Sequence, residues 1–215
     1  MKRKIVKEKY IAVFALATLL FIVGILVGYW ISEWKIKKTL EVEKKLRFDL
    51  LSLELETEML ENYPCTIEAM MLEEELGKIA RKVSFLEEQL GKRNPKVLEL
   101  KKYYSLLEIR HYLLMKERKK MCNENYTLIL FFYSNLPENI EVSEKQGYVL
   151  DYLRDKYTTK RVKIYSLDYD LDLGIIKELI RIHNISEVPS LVIDGNLYVG
   201  FQSKEKLERI LKGNK

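Results

Sequence analysis

The segment Ser186–Gly195 (SEVPSLVIDG) constrains the fold of this chain most, because it holds a short apolar run between two strong backbone signals. Pro189 opens the run, and a proline is tolerated at the first residue of a strand but not inside a central strand. Asp194-Gly195 closes the run with a dipeptide typical of two-residue hairpin turns. We therefore predict a strand from Pro189 to Ile193 that turns directly into an antiparallel partner at 196–201.

The residues before this segment predict an α/β arrangement. A continuous apolar run at 127–133 is typical of a strand buried on both faces, and an alternating segment at 161–167 predicts a second strand. Helices are expected at 142–157 and 173–183, and a last helix begins near 203. The predicted order is β-α-β-α-β-β-α, and its first two strands should be parallel because a helix connects them.

This order and the proline-led strand resemble the thioredoxin-like fold superfamily. The resemblance covers roughly residues 126–212, within a predicted domain at 123–215, and its most specific part is Glu187–Gly195. It implies that the Val188-Pro189 peptide bond is cis. It also implies a groove that binds an extended peptide by main-chain pairing. The groove residues implied for this chain are Asn135, Ile140, Ser143, Val188 and Pro189.

The chain departs from that family where its chemistry would be. The family carries Cys-x-x-Cys at the start of the first helix, but here Asn135–Ser143 occupies the equivalent segment. The best register places Ile140 and Ser143 where the two thiols would stand. Neither side chain forms a thiolate, which is the nucleophile of dithiol exchange. We therefore predict no catalytic residue. The fold that the resemblance implies, without its two thiols, favours a non-catalytic protein-binding or scaffold role. The alternative is that the fold is retained only as a stable spacer.

Residues 33–122 predict an all-α stalk. One helix should reach Glu61 and stop before Pro64, and two further helices should form an antiparallel hairpin around the turn at Gly91–Pro95. The second helix is expected from near Cys65 and the third from Pro95 to Met121. The sequence leaves open whether the three helices form a bundle or an extended stalk.

The two cysteines lie symmetrically about that hairpin. Cys65 and Cys122 are equally far from the turn at Arg93–Asn94, so an antiparallel pair of helices places them side by side at its open end. A disulfide needs Cα atoms within about 7 Å, and we predict that the two form one. An alternative hypothesis for the function is a thiol–disulfide protein that acts through this pair.

The N-terminal residues predict a membrane anchor. Residues 10–32 carry no charge, and about 20 apolar helical residues span the ~30 Å hydrocarbon core. We predict an uncleaved signal anchor after a basic tail at 1–9, with membrane lipid as a partner. Positive charges flank both ends almost equally. The basic tail and the predicted disulfide favour a cytoplasmic N-terminus, with residues 33–215 outside the cytoplasm.

Gly24 and Gly28 form a G-x-x-x-G pattern within this run. Glycines four residues apart allow two helices to approach closely, which predicts a homodimer through this face. The alternative is that glycine is simply frequent in apolar helices of this kind.

Composition and motifs narrow the remaining classes of function. The net charge of +5 is mild and the charges are interspersed, so no nucleic-acid partner is expected. The sequence has no phosphate-binding glycine loop, and its two histidines have no companion ligands in reach. We therefore expect no cofactor and no metal, and the expected partner is an unidentified protein.

Overall fold

The structure is a computed structural model of the chain, and it describes residues 7–66 and 70–213. The chain divides into two compact units, Met1–Glu54 and Leu55–Lys215. In chain order the elements are α1 (Lys7–Asn62), α2 (Met70–Leu90), α3 (Pro95–Met121), β1 (Thr127–Tyr133), α4 (Ile140–Arg161), β2 (Val162–Asp168), α5 (Gly174–Ile182), β3 (Ser190–Ile193), β4 (Asn196–Val199) and α6 (Lys204–Gly213).

The N-terminal helix corrects one of the predictions. Among the residues that the structure describes, no helix combines the length and the apolar content that crossing a membrane requires. The predicted transmembrane helix at 10–32 is therefore wrong, and so are the signal anchor, the single-pass topology and the placement of 33–215 outside the cytoplasm. The apolar residues are instead one part of α1, which continues without a break into charged sequence. Residues 1–6 of the predicted basic tail lie outside the described residues.

The helical hairpin of α2 and α3 forms where the sequence predicts it. Gly91 ends α2 in the left-handed region (φ 86°), which suits a residue without a Cβ. The Asn94 side chain accepts a hydrogen bond from the Lys96 amide at 3.0 Å and so caps α3. The bounds predicted for α3 are confirmed. Helix α2 is described only from Met70, because residues 67–69 lie outside the described part of the chain.

A disulfide joins Cys65 and Cys122 and confirms the predicted pair. Cys65 follows α1, and Cys122 caps the end of α3. The bond therefore ties the connection between α1 and α2 to the far end of the hairpin.

The four strands form one mixed sheet in the order β2-β1-β3-β4. Strand β1 runs parallel to β2 and antiparallel to β3, and β3 pairs with β4. Asp194 and Gly195 both have positive φ, 46° and 92°, as a type I′ hairpin turn requires. The predicted order of strands and helices is the one observed, with element ends shifted by a few residues.

Helices cover both faces of the sheet. One apolar core lies between the sheet and the helices α4 and α6, and its fully buried members include Leu153, Leu191 and Leu207. The opposite core brings Ile109 and Met115 of α3 together with strand and α5 residues. Helix α3 thus packs against the sheet within the unit Leu55–Lys215, an arrangement that the sequence did not predict.

Candidate functional site

The loop between β1 and α4 carries Asn135, and the first turn of α4 carries Ile140 and Ser143. Two buried serines, Ser134 and Ser143, hold this loop. The Ser134 amide donates to Ser143 Oγ at 3.1 Å. The Ser134 hydroxyl donates to Asp170 Oδ2 at 2.5 Å and accepts from the Leu136 amide at 3.0 Å. Ser134 is 1% exposed and Ser143 is 4% exposed. The Ser143 hydroxyl therefore fixes the loop and is not open to a ligand.

The loop that enters β3 contains the other two predicted groove residues. The Val188-Pro189 peptide bond is cis, as the sequence predicts. Pro189 is buried, and its carbonyl accepts a hydrogen bond from the Gly200 amide at 2.8 Å. Val188 is half-buried. The ladder between β1 and β3 ends at Phe132 and Ser190, and two further residues of the same register bring Val188 beside Ser134.

The main chain of Val188 has polar groups that are open to pairing. Within the described part of the chain, neither its N–H nor its carbonyl makes a backbone hydrogen bond. Buried main-chain polar groups nearly always have a partner, whereas groups that water reaches remain available to a ligand. Because Ser134 gives its own amide to Ser143, the strand edge beyond Ser190 is left unpaired at this point.

Beneath the β1–α4 loop lies a group of buried charges that the sequence did not reveal. Lys101 of α3 is 4% exposed, and its Nζ lies 2.6 Å from Glu87 Oε1 and 3.4 Å from Asp168 Oδ2. Asn135 donates through Nδ2 to the same Asp168 oxygen at 2.9 Å. The Asp168 carboxylate at the end of β2 therefore joins the helical hairpin to a predicted groove residue.

Tyr133 borders the same group of charges. Its burial, together with the negative charges of Asp168 and Glu87, raises the pKa of Tyr133 well above the usual value, although a hydrogen bond with Asn135 acts the other way. The Tyr133 hydroxyl therefore keeps its proton at neutral pH. Since Ile140 and Ser143 offer no thiol, the arrangement can hold a chain segment but lacks a nucleophile for dithiol exchange.

The five predicted groove residues lie in the β1–α4 loop, the first turn of α4 and the loop that enters β3, but they have different roles. The side chains of Asn135 and Ser143 are engaged in internal hydrogen bonds, and Pro189 is buried. Ile140, the first residue of α4, and Val188 are half-buried and remain available. Lys101 and Asp168 are 67 residues apart, so no local pattern could have linked them.

The other predicted sites have simpler outcomes. No cysteine is free, Cys65 is exposed and Cys122 is half-buried. A Cβ built on Gly24 or Gly28 would meet nothing within 4 Å, so no contact within the chain requires glycine there, and the homodimer stays a prediction. Among the described residues, no group of three or more His, Cys, Asp or Glu side chains is placed to hold a metal ion.

Comparisons with known proteins assign no family to the chain. No protein-family model and no curated protein matches it. A solved structure described as "Structure of a malarial protein" is similar at 21% identity, over 42% of this chain and 98% of its own, with a TM-score of 0.35. A likeness at that TM-score supports no argument about fold or function.

Proposed function

We propose that residues 123–215 are a thioredoxin-like protein-binding module without catalytic activity, which holds an extended segment of a partner protein at Val188. The single observation that carries the proposal is the unpaired main chain of Val188 beside the β1–α4 loop. An extended peptide can add to such an edge through its own main-chain N–H and C=O groups, a recurring mode of peptide recognition.

The neighbouring side chains support binding without reaction. Ile140 offers an apolar contact at the start of α4. Both cysteines form the disulfide that joins the α1–α2 connection to the end of α3. Neither cysteine lies in the β1–α4 loop. The proposed partner is therefore a protein segment in extended conformation, recognised mainly through its backbone.

Hydrogen exchange on the full chain tests this proposal. Short proline-free peptides with alternating apolar residues are added, and exchange is followed amide by amide. We expect slower exchange at Val188, because its N–H gains an acceptor, while amides on the exposed face of α5 do not change. If no peptide binds, or if protection appears elsewhere and leaves Val188 unchanged, the proposal is wrong.

A pair of variants sharpens the test. Ile140→Arg places a charge at the proposed apolar contact and should weaken peptide binding about tenfold or more, equivalent to about 1.4 kcal/mol. Ile182→Arg is the matched control, since Ile182 is 61% exposed at the end of α5. Equal affinities for the two variants would contradict the assigned groove, provided that both retain the far-ultraviolet spectrum of the unmodified chain.

A further inference from the structure

A second concave site lies between the helical hairpin, α4 and the outer edge of β2. This cavity, called here the α2–β2 cavity, has a volume of about 310 Å³. Known ligand pockets hold roughly 300–1,000 Å³, so its size suits a small molecule. Its apolar wall includes Leu76, Ala80, Val162 and Ile164. Its polar wall includes Glu73, Tyr104, Glu108, His111, Arg154 and Lys163. None of these residues belongs to the groove at Val188.

Glu108 is the feature of this wall that points to a ligand. Its side chain comes from α3 and is 3% exposed. Oε1 accepts a hydrogen bond from the Ser166 amide at 3.0 Å, whereas Oε2 is buried with no hydrogen-bond partner among the described residues. Buried polar atoms without partners are rare in folded proteins, and each one calls for an explanation.

The protonation state of Glu108 determines whether Oε2 needs a hydrogen-bond donor or an acceptor. Burial raises the pKa of Glu108 to about 8, against opposing effects of the Ser166 amide, the Tyr104 hydroxyl and the charge of Arg154. The carboxyl group is therefore mostly neutral at pH 7. Because Oε1 already accepts from Ser166, the proton belongs on Oε2. The Tyr104 hydroxyl is near enough to affect the carboxyl, but Oε2 has no partner at hydrogen-bond geometry among the described residues, so it can donate to a ligand.

The charges around the cavity favour an anionic acceptor. Lys163 Nζ and His111 Nε2 both lie against Glu73 Oε1, at 3.0 and 3.4 Å, so the Lys163 charge is balanced by Glu73. Arg154 pairs with Asp151 one turn earlier on α4, but both side chains are more than half exposed, and such pairs are weak. Asp151 is not part of the wall, so Arg154 is a cationic lining residue whose ion-pair partner lies outside the cavity.

The edge of β2 adds a main-chain donor. Strand β2 pairs on one side with β1, and Ser166 turns its amide away from β1 to reach Glu108. Amides two residues apart on a strand point to the same side, so the Ile164 amide faces outward as well. Ile164 lines the cavity, which places this donor beside the Glu108 and Arg154 donors.

We propose that the α2–β2 cavity binds a small organic molecule through its carboxylate group. The neutral Glu108 hydroxyl and the Arg154 guanidinium donate to the two carboxylate oxygens, and the apolar part of the ligand lies against Leu76, Ala80 and Val162. A metal ion is a poor fit, since no suitable group of ligating side chains exists among the described residues.

Isothermal titration of the full chain with hexanoate and benzoate, each compared with its neutral amide, tests the proposal. We expect binding of at least one acid with a Kd below about 10 mM, and about tenfold weaker binding of its amide, because the amide lacks the charge that Arg154 recognises. If neither acid binds in that range, or if acid and amide bind equally well, the proposal is overturned.

Matched variants assign the binding to this cavity. Arg154→Gln should weaken binding of the acid about tenfold or more, which is the effect of one charged hydrogen bond. Arg181→Gln is the control, since Arg181 also forms an exposed pair three residues apart on a helix, with Glu178, but lies outside the cavity. The proposal is wrong if both variants bind as the unmodified chain does, or if Arg181→Gln weakens binding as much as Arg154→Gln.

The pH dependence of acid binding tests the role of Glu108, because a purely structural role would not change it. Glu108→Gln keeps an acceptor for Ser166 and a donor toward the cavity, so it should still bind the acid. Affinity of the unmodified chain should fall as the pH rises through about 8, because ionised Glu108 repels the carboxylate. The affinity of Glu108→Gln should stay constant over the same range, and an identical pH profile for the two proteins would contradict the assigned role.

Discussion

Replacing Lys101 by methionine should destabilise the fold far more than the same change at the next residue. Lys101 is 4% exposed, and its Nζ neutralises Glu87 and Asp168 at 2.6 and 3.4 Å. Methionine keeps most of the apolar stem but removes the charge. Asp168, whose side chain is 5% exposed, then retains only hydrogen bonds from Asn135 and from the Asp170 amide.

The size of the effect follows from the buried carboxylate that is left behind. Removing one partner of a buried ion pair costs roughly 3–5 kcal/mol, because the other charge stays desolvated without compensation. Lys102 provides the matched control. Its side chain is 37% exposed, and among the described residues it forms an ion pair with Glu99, at 3.9 Å. Lys102→Met should therefore change the free energy of unfolding by less than about 1 kcal/mol.

Urea denaturation and thermal melting of the full chain, each followed by far-ultraviolet circular dichroism, measure both variants. For a unit of this size, 3–5 kcal/mol corresponds to a fall of about 6–20 °C in the melting temperature. Adding Asp168→Asn to Lys101→Met should restore part of the loss, since the uncompensated charge is then gone. If Lys101→Met and Lys102→Met differ by less than about 1 kcal/mol, the buried charges do not hold the hairpin to the sheet.

Three further predictions concern other titratable or covalent contacts. Reducing the bond between Cys65 and Cys122 should lower the free energy of unfolding by about 4 kcal/mol, because the bond closes a loop of 57 residues; equal urea midpoints with and without reductant would contradict this. The pKa of Glu108 is raised in the folded state, so its contribution to the free energy of unfolding is fully present below pH 4.5 and is lost as the pH rises through about 8. Glu108→Gln should abolish that decline, which urea midpoints at pH 5, 7 and 9 would show. Contacts with His111 and Lys163 lower the pKa of Glu73 to about 2. Because the Glu73 side chain is half-exposed, its contribution to the free energy of unfolding is modest; it is present above pH 4.5 and lost as the pH falls toward 2. The acid unfolding curve of Glu73→Gln should lack that step.

Local patterns predicted the elements of the C-terminal part closely. The apolar run at 127–133 has the bounds of β1, and Asp194-Gly195 forms the expected hairpin turn. Each of these signals depends on the chemistry of a few consecutive residues, which tertiary contacts did not override. The symmetric spacing of Cys65 and Cys122 gave the disulfide for a similar reason, because a short turn fixes which residues of two helices meet.

The packing of α3 on the sheet could not be predicted in the same way. Lys101 and Glu108 stand among exposed-looking charges in the sequence, and a helical pattern alone assigns such residues to solvent. Their burial depends on strand β2, whose Ser166 and Asp168 supply the partners. Charged side chains are almost never fully buried without a partner, and here the partner comes from a distant part of the chain.

The internal hydrogen bonds of the candidate groove limit how it can recognise a peptide. Asn135 and Ser143 already donate to Asp168 and accept from Ser134, so neither side chain can read a ligand without breaking a buried contact. What remains is the main chain of Val188 and the side chain of Ile140. Main-chain pairing carries no information about sequence, and one apolar contact carries little. A groove that binds as proposed should therefore select extended conformation above sequence, with a preference for an apolar residue only at the position that faces Ile140.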